Sequence, residues 1–197
     1  MPFRAIALLV LALAGSLPQP AEYPPWFREA IELGRTQDDA LFAAFNKGYS
    51  LSPSGIIDSA EVITEFRRAV LIVREHALLG GFTFGPADLA KALAPYRGQV
   101  TFVVQVRLNP MNTFTAAPPY DLYVSTGPST SPIAAKPLKR DPVYPPGGAL
   151  GSPVVAVRLD ALFPVEPIMA APQPQLVVTD EKANIIWQAR IDLTRFR

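Results

Sequence analysis

Residues 99–108, QVTFVVQVRL, decide the reading of this chain. Val100, Phe102, Val104, Val106 and Leu108 alternate with Thr101, Val103, Gln105 and Arg107. Successive side chains leave opposite faces of a pleated strand, so this period of two predicts a half-buried strand. Further strands are predicted at 120–126 (YDLYVST), 153–163 (PVVAVRLDALF), 175–179 (QLVVT) and 185–193 (IIWQARIDL). In the last of these Ile185, Trp187, Ala189, Ile191 and Leu193 read as the inward face. Asp180 to Asn184 (DEKAN) reads as the hairpin loop before it.

No helix-length period follows residue 98, so there is nothing to carry the crossover that a parallel pair needs. The expected C-terminal part, residues 99–197, is an antiparallel β-sandwich or a partly open barrel. An immunoglobulin-like sandwich is the best single reading, on strand count and spacing and without the Cys…Trp…Cys signature. Proline points the same way: 14 of the 22 prolines lie after residue 98, where strand edges and stiff connections tolerate them.

Upstream of residue 99 the apolar period is three to four. A helix is predicted from Pro25, with Phe27, Ala30 and Ile31 on one face and Gly34 as its end. Thr36 with Asp39 reads as the start of a second, whose Leu41, Phe42 and Phe45 face a core before Gly48. A third, capped by Asp58, runs to about Leu79 through Val62, Phe66, Ala69, Val70, Val73 and Ala77, with Arg68 on its polar side. A short one covers Pro86 to Ala94. The fold class is therefore α+β: helices over 25–98 packed beside the sandwich, the short Pro95–Gly98 connection favouring direct contact.

The first sixteen residues read as an export signal. Arg4 gives the basic start, Ala5 to Ala14 the apolar run, and cleavage is expected after Ala14, with Ser16 and Ala21 as further candidates. That run is too short for the ~20 residues that span a bilayer, so no stable membrane span is expected after cleavage. Residues 17–24 form an extended, proline-rich tether. Loss of Arg4 takes the balance from 18 basic and 17 acidic residues to 17 of each. A neutral chain has no long-range field for nucleic acid, which excludes that class of partner.

There are no cysteines, so disulfides, thiolate metal sites and cysteine nucleophiles are absent. The single histidine, His76, cannot supply a zinc site and sits beside an apolar helical face. Asp38-Asp39 reads as a helix cap, Asp180-Glu181 as a solvated turn, and the Lys136, Lys139 and Arg140 cluster as a solvated loop. No catalytic, cofactor or metal residues are assigned. The segment 109–120 (NPMNTFTAAPPY) is long for a hairpin connection and carries aromatic residues among prolines. Met111, Phe114 and Tyr120, with Tyr123 beyond them, are the candidate binding residues.

These features imply an exported, periplasmic or secreted, non-enzymatic protein-interaction or structural module, its partner another envelope or extracellular protein. A small-ligand or glycan-binding protein is the alternative, and a carboxylate- or Ser/Lys-dependent hydrolase a more distant one.

Overall fold

The computed structural model describes residues 23–81, 83–127, 131–148 and 151–196. The export signal, its three candidate cleavage points and all of the tether except Tyr23 and Pro24 lie outside the described residues. In chain order the elements are helices α1 (Trp26–Gly34) and α2 (Asp39–Lys47), strands β1 (Ser50–Leu51) and β2 (Ile57–Ile63), and helices α3 (Glu65–Leu78) and α4 (Pro86–Leu93). Strands β3 (Gln99–Arg107), β4 (Asp121–Ser125), β5 (Ile133–Ala134), β6 (Leu138–Val143) and β7 (Ala156–Pro164) follow. Helix α5 (Val165–Ala170) and strands β8 (Gln175–Thr179) and β9 (Ile185–Arg190) complete the chain.

The strands form two antiparallel sheets, neither closed into a barrel: β1-β2-β3-β7-β6 and β5-β4-β8-β9. Their buried side chains belong to one cluster. Val62, Val104 and Leu159 from the first sheet join Leu122, Val178 and Trp187 from the second. The fold is α+β, as the change of period at residue 99 predicts.

A second apolar cluster lies among the helices. Phe27, Ala30 and Ile31 of α1 meet Phe66, Val70 and Val73 of α3 and Leu89 and Leu93 of α4. Phe45 of α2 packs on both clusters, its ring 6.2 Å from Phe66 and 5.1 Å from Tyr49. Tyr49 in turn stacks on Phe196 at 5.8 Å, so the C-terminal end of the chain closes against the segment before β1.

Gly34 is the last residue of α1, as its helix-ending reading suggests, but packing explains it better. A Cβ there would lie 2.6 Å from Val73 Cβ and 2.7 Å from the Val70 carbonyl oxygen. Backbone cannot yield as a side chain can, so the two helices would have to separate. Gly34→Ala is expected to cost about 1–3 kcal/mol, the usual range for overpacking. A lower urea midpoint at unchanged m-value checks this, and an unchanged midpoint would show that the helices slide apart freely.

Several expectations require correction. The helix expected from Asp58 begins six residues later, at Thr64, whose hydroxyl accepts from the Arg67 amide at 3.3 Å. Residues 57–63 are instead strand β2, paired with β3 from Ile57↔Val106 to Ile63↔Thr101. A bulge between Ile57 and Ser59 breaks its alternation, and Val62 falls four residues before Phe66, a helical step that continues into α3. The basic stretch 138–143 is edge strand β6 and not a loop; edge strands accept both Pro142 and exposed charges. Leu41 is half exposed and does not face the core.

Candidate functional site

Two places gather side chains that could hold a ligand or partner. The first is one end of the two sheets, where the β3–β4, β6–β7 and β8–β9 connections meet. The 109–120 segment is ordered by its own asparagines. The Asn109 carboxamide oxygen accepts from the Met111 amide at 2.9 Å, and Asn112 Oδ1 accepts from the Phe114 amide at 2.9 Å. Such side-chain-closed turns are what asparagine contributes in loops. The Asn112 side chain also donates to the Val154 carbonyl at 3.1 Å, and Val154 donates to the Phe114 carbonyl at 2.7 Å.

The β8–β9 hairpin loop is similarly self-ordered. The Asp180 carboxylate accepts from the Asn184 side chain at 2.9 Å and from the backbone amides of Asn184 and Lys182 at 2.8 and 2.9 Å. The Asn184 side-chain hydrogen bond, followed by its backbone amide, holds this carboxyl below the usual carboxylate range. Ala183 takes φ of 61° to close the loop. Between this hairpin and the 109–120 segment lies a cavity of about 250 Å³ lined by Phe114, Tyr120, Asp180 and Asn184 among others. Partial burial, then the nearby Asp180 and Glu181 charges, push the Tyr120 hydroxyl up.

Of the four sequence candidates, Met111 (87% exposed), Phe114 (52% exposed) and Tyr120 are therefore brought to one end of the molecule. Tyr123 is not. It sits within β4 opposite Ala134 and Val177, on the face away from the buried Leu122 and Val124. The structure adds three exposed apolar residues: Ile56 and Val155, which periodicity does not single out, and Ile185, which it places on the inward face. The Ile56 carbonyl accepts from the Arg107 amide, the Val155 carbonyl from the Leu108 amide, and Ile185 follows Asn184 of the cavity. Ile185 was expected to point inward. The register shift between Val178 and Thr179 turns it out, and Trp187 begins the buried face.

The second place is a cleft of about 280 Å³ on the outer face of the five-stranded sheet. Here β3 is buried on both sides, because Thr101 and Val103 are covered although they alternate with the core residues. The Arg68 side chain of α3 reaches Thr101. The Arg68 guanidinium donates to Thr101 Oγ1 and lies 3.9 Å from the Tyr96 ring centre, a cation–π distance. Burial holds Arg68 below its ordinary pKa, with Tyr96 and Asp160 acting against that shift. Lys139 of β6 stands opposite Asp160 of β7 in the register, and Asp160 accepts from Arg158 at 3.2 Å. Sequence reading placed Arg68 on a solvated helical face and Lys139 in a loop, so no local signal joined them.

Among the described residues no helix is long and apolar enough to cross a membrane. His76 is exposed and stacks on Phe84 at 4.1 Å. No protein-family model, curated protein or solved structure matches this chain.

Proposed function

We propose that this chain is an exported, non-enzymatic interaction module of the cell envelope, periplasmic or secreted, that holds another protein by the loop end of its two sheets. The observation that carries the reading is the gathering of Ile56, Met111, Phe114, Val155 and Ile185, all exposed, at the end where the three connections lie, the β3–β4 and β6–β7 connections hydrogen-bonded to each other. Scattered surface apolar residues need no explanation, but a set on one rim of preordered loops suits a partner surface. Preordering matters energetically, since loops fixed by Asn109, Asn112 and Asp180 lose less freedom on binding.

The two sheets are read as an immunoglobulin-like sandwich. With β2, β3, β7 and β6 as strands A, B, E and D, and β5, β4, β8 and β9 as C′, C, F and G, the observed order supports that assignment. The shared apolar cluster supports it too. The chain departs from the antibody pattern in having no cysteines and in carrying α3 and α4 between strands A and B. In this reading the B–C and F–G loops, which form the binding end of variable domains, are the 109–120 segment and the Asp180–Asn184 hairpin.

The test uses a photocrosslinking amino acid at position 111, with position 169 as control. Met169 is an exposed apolar residue of α5, at the opposite end of the sheets. Irradiation of producing cells is expected to give one discrete adduct from position 111 and none from position 169. Phe114→Asp in the same chain is expected to reduce that adduct at least about tenfold, the scale of a lost interface anchor, without altering cooperative unfolding. Equal adducts from both positions, or none from either, would overturn the reading.

A further inference from the structure

We infer that the cleft over the five-stranded sheet is a binding site for a small organic acid with an apolar body, separate from the loop end and independent of its role. Charge is the first argument. Arg68, Lys139 and Arg158 contribute three cations to its lining, and Asp160 is the one carboxylate among them. Both oxygens of that carboxylate already accept from the Arg158 Nε, at 3.2 and 3.3 Å. Among the described residues Arg68 and Lys139 form no ion pair. Asp141 faces Arg158 across the register on the neighbouring strand, so the wider face is close to neutral while the cleft itself keeps a positive excess.

Desolvation is the second argument. A guanidinium withdrawn from water is costly unless it is compensated. Arg68 touches a hydroxyl and an aromatic face, Thr101 Oγ1 and the Tyr96 ring, and the nearby Asp160 carboxylate, which also holds Arg158, attracts it without forming an ion pair. Stacking on Tyr96 and the bond to Thr101 also fix the fork in place, so an anion entering the cleft meets a donor whose geometry is already set. Lys139, on an exposed edge strand, can close over the same anion from the other side.

Shape and lining give the ligand its second half. Ile63, Val103, Leu162 and Pro137 supply apolar surface beneath and beside the cations. A volume near 280 Å³ is at the small end of ligand sites, so the occupant has room for one ring or a short branched chain with a carboxylate. An inorganic anion would leave that apolar surface wet, and a neutral molecule would leave Arg68, Lys139 and Arg158 to share the single Asp160 carboxylate of the cleft.

The test is an amide chemical-shift titration of the purified full chain with 3-phenylpropionate, beside 3-phenylpropanol and inorganic phosphate at the same concentrations. Saturable shifts are expected at Val103, Asp160 and Leu162 with phenylpropionate, with a Kd of order 1 mM, as about eleven non-hydrogen atoms at ordinary ligand efficiency allow. The alcohol and phosphate are each expected to bind at least about fivefold more weakly. Lys139→Ala, an exposed change that leaves the core intact, is expected to weaken phenylpropionate several-fold, and Arg68→Gln to weaken it further. No saturation at those amides, equal binding of phosphate or of the alcohol, or indifference to Lys139→Ala would each overturn the proposal.

Discussion

Arg67→Ala is expected to lose about 3 kcal/mol or more of unfolding free energy, a large share of the ~5–15 that a domain of this size has. Arg67 is 4% exposed, and its guanidinium ties α3 to two other elements at once, β2 and α2. It donates to the Val62 carbonyl of β2 at 2.8 Å, to Asn46 Oδ1 of α2 at 3.2 and 3.3 Å, and to Glu61 Oε2 at 2.6 Å, and it lies 5.2 Å from the centre of the Tyr49 ring. Hydrogen bonds from a charged donor contribute about 1.5–3 kcal/mol each when their acceptors have no alternative. Glu61 is 38% exposed and can return to water, so the ion pair itself is the smaller part. Glu61→Gln is accordingly expected to cost no more than about 1 kcal/mol. Urea unfolding of both variants separates the two contributions. Equal losses would mean that the pair, and not the stranded Val62 carbonyl and Asn46, carries the energy.

Arg67 also illustrates what the sequence conveys and what it withholds. The strands at 99–107 and 175–179 are legible as uninterrupted pairing runs, although Thr101, Val103, Val177 and Thr179 are buried too, so the half-buried pattern expected of 99–108 gives way to burial on both faces. Strand β2 is illegible for a stated reason: the bulge at Ile57/Ser59 offsets its period, and Val62 then falls four residues before Phe66 as though on one helix. Strand β6 hides behind Lys139, Arg140 and Pro142, a composition that edge strands share with loops. Of the loop end, Met111, Phe114 and Tyr120 stood out because aromatic and apolar residues among prolines are locally unusual. Ile56, Val155 and Ile185 join them only through the sheet register, which no window of sequence contains. The cleft is the extreme case. Arg68, Lys139 and Asp160 come from α3, β6 and β7, and each alone looks like an ordinary surface charge.

A chain truncated to residues 99–197 is expected to aggregate and to show no cooperative unfolding. The sheet does not begin at residue 99. Strand β2 pairs with β3 along six register positions, and Tyr49, Leu51, Ile57 and Val62 are buried in the cluster that the two sheets share. Losing four large apolar side chains at about 1.5–3 kcal/mol each removes about 6–12 kcal/mol, comparable with the whole stability of a domain. Phe196 also loses the Tyr49 ring on which it stacks. Worse, β3 becomes an edge. Its sequence from Gln99 to Val106 carries no charge and no proline, and on its second face Thr101 loses the Arg68 side chain of α3. An exposed strand of high β-propensity without charge is the template on which further chains add. Size-exclusion chromatography and thermal unfolding of the truncated and full chains decide the matter. Oligomers without a transition would make β2 an integral strand of the sheet. A monomer with a cooperative transition would mean that β3 to β9 hold their core unaided, and that the helical segment is an attached unit whose interface with the sheet, cleft included, forms after both have folded.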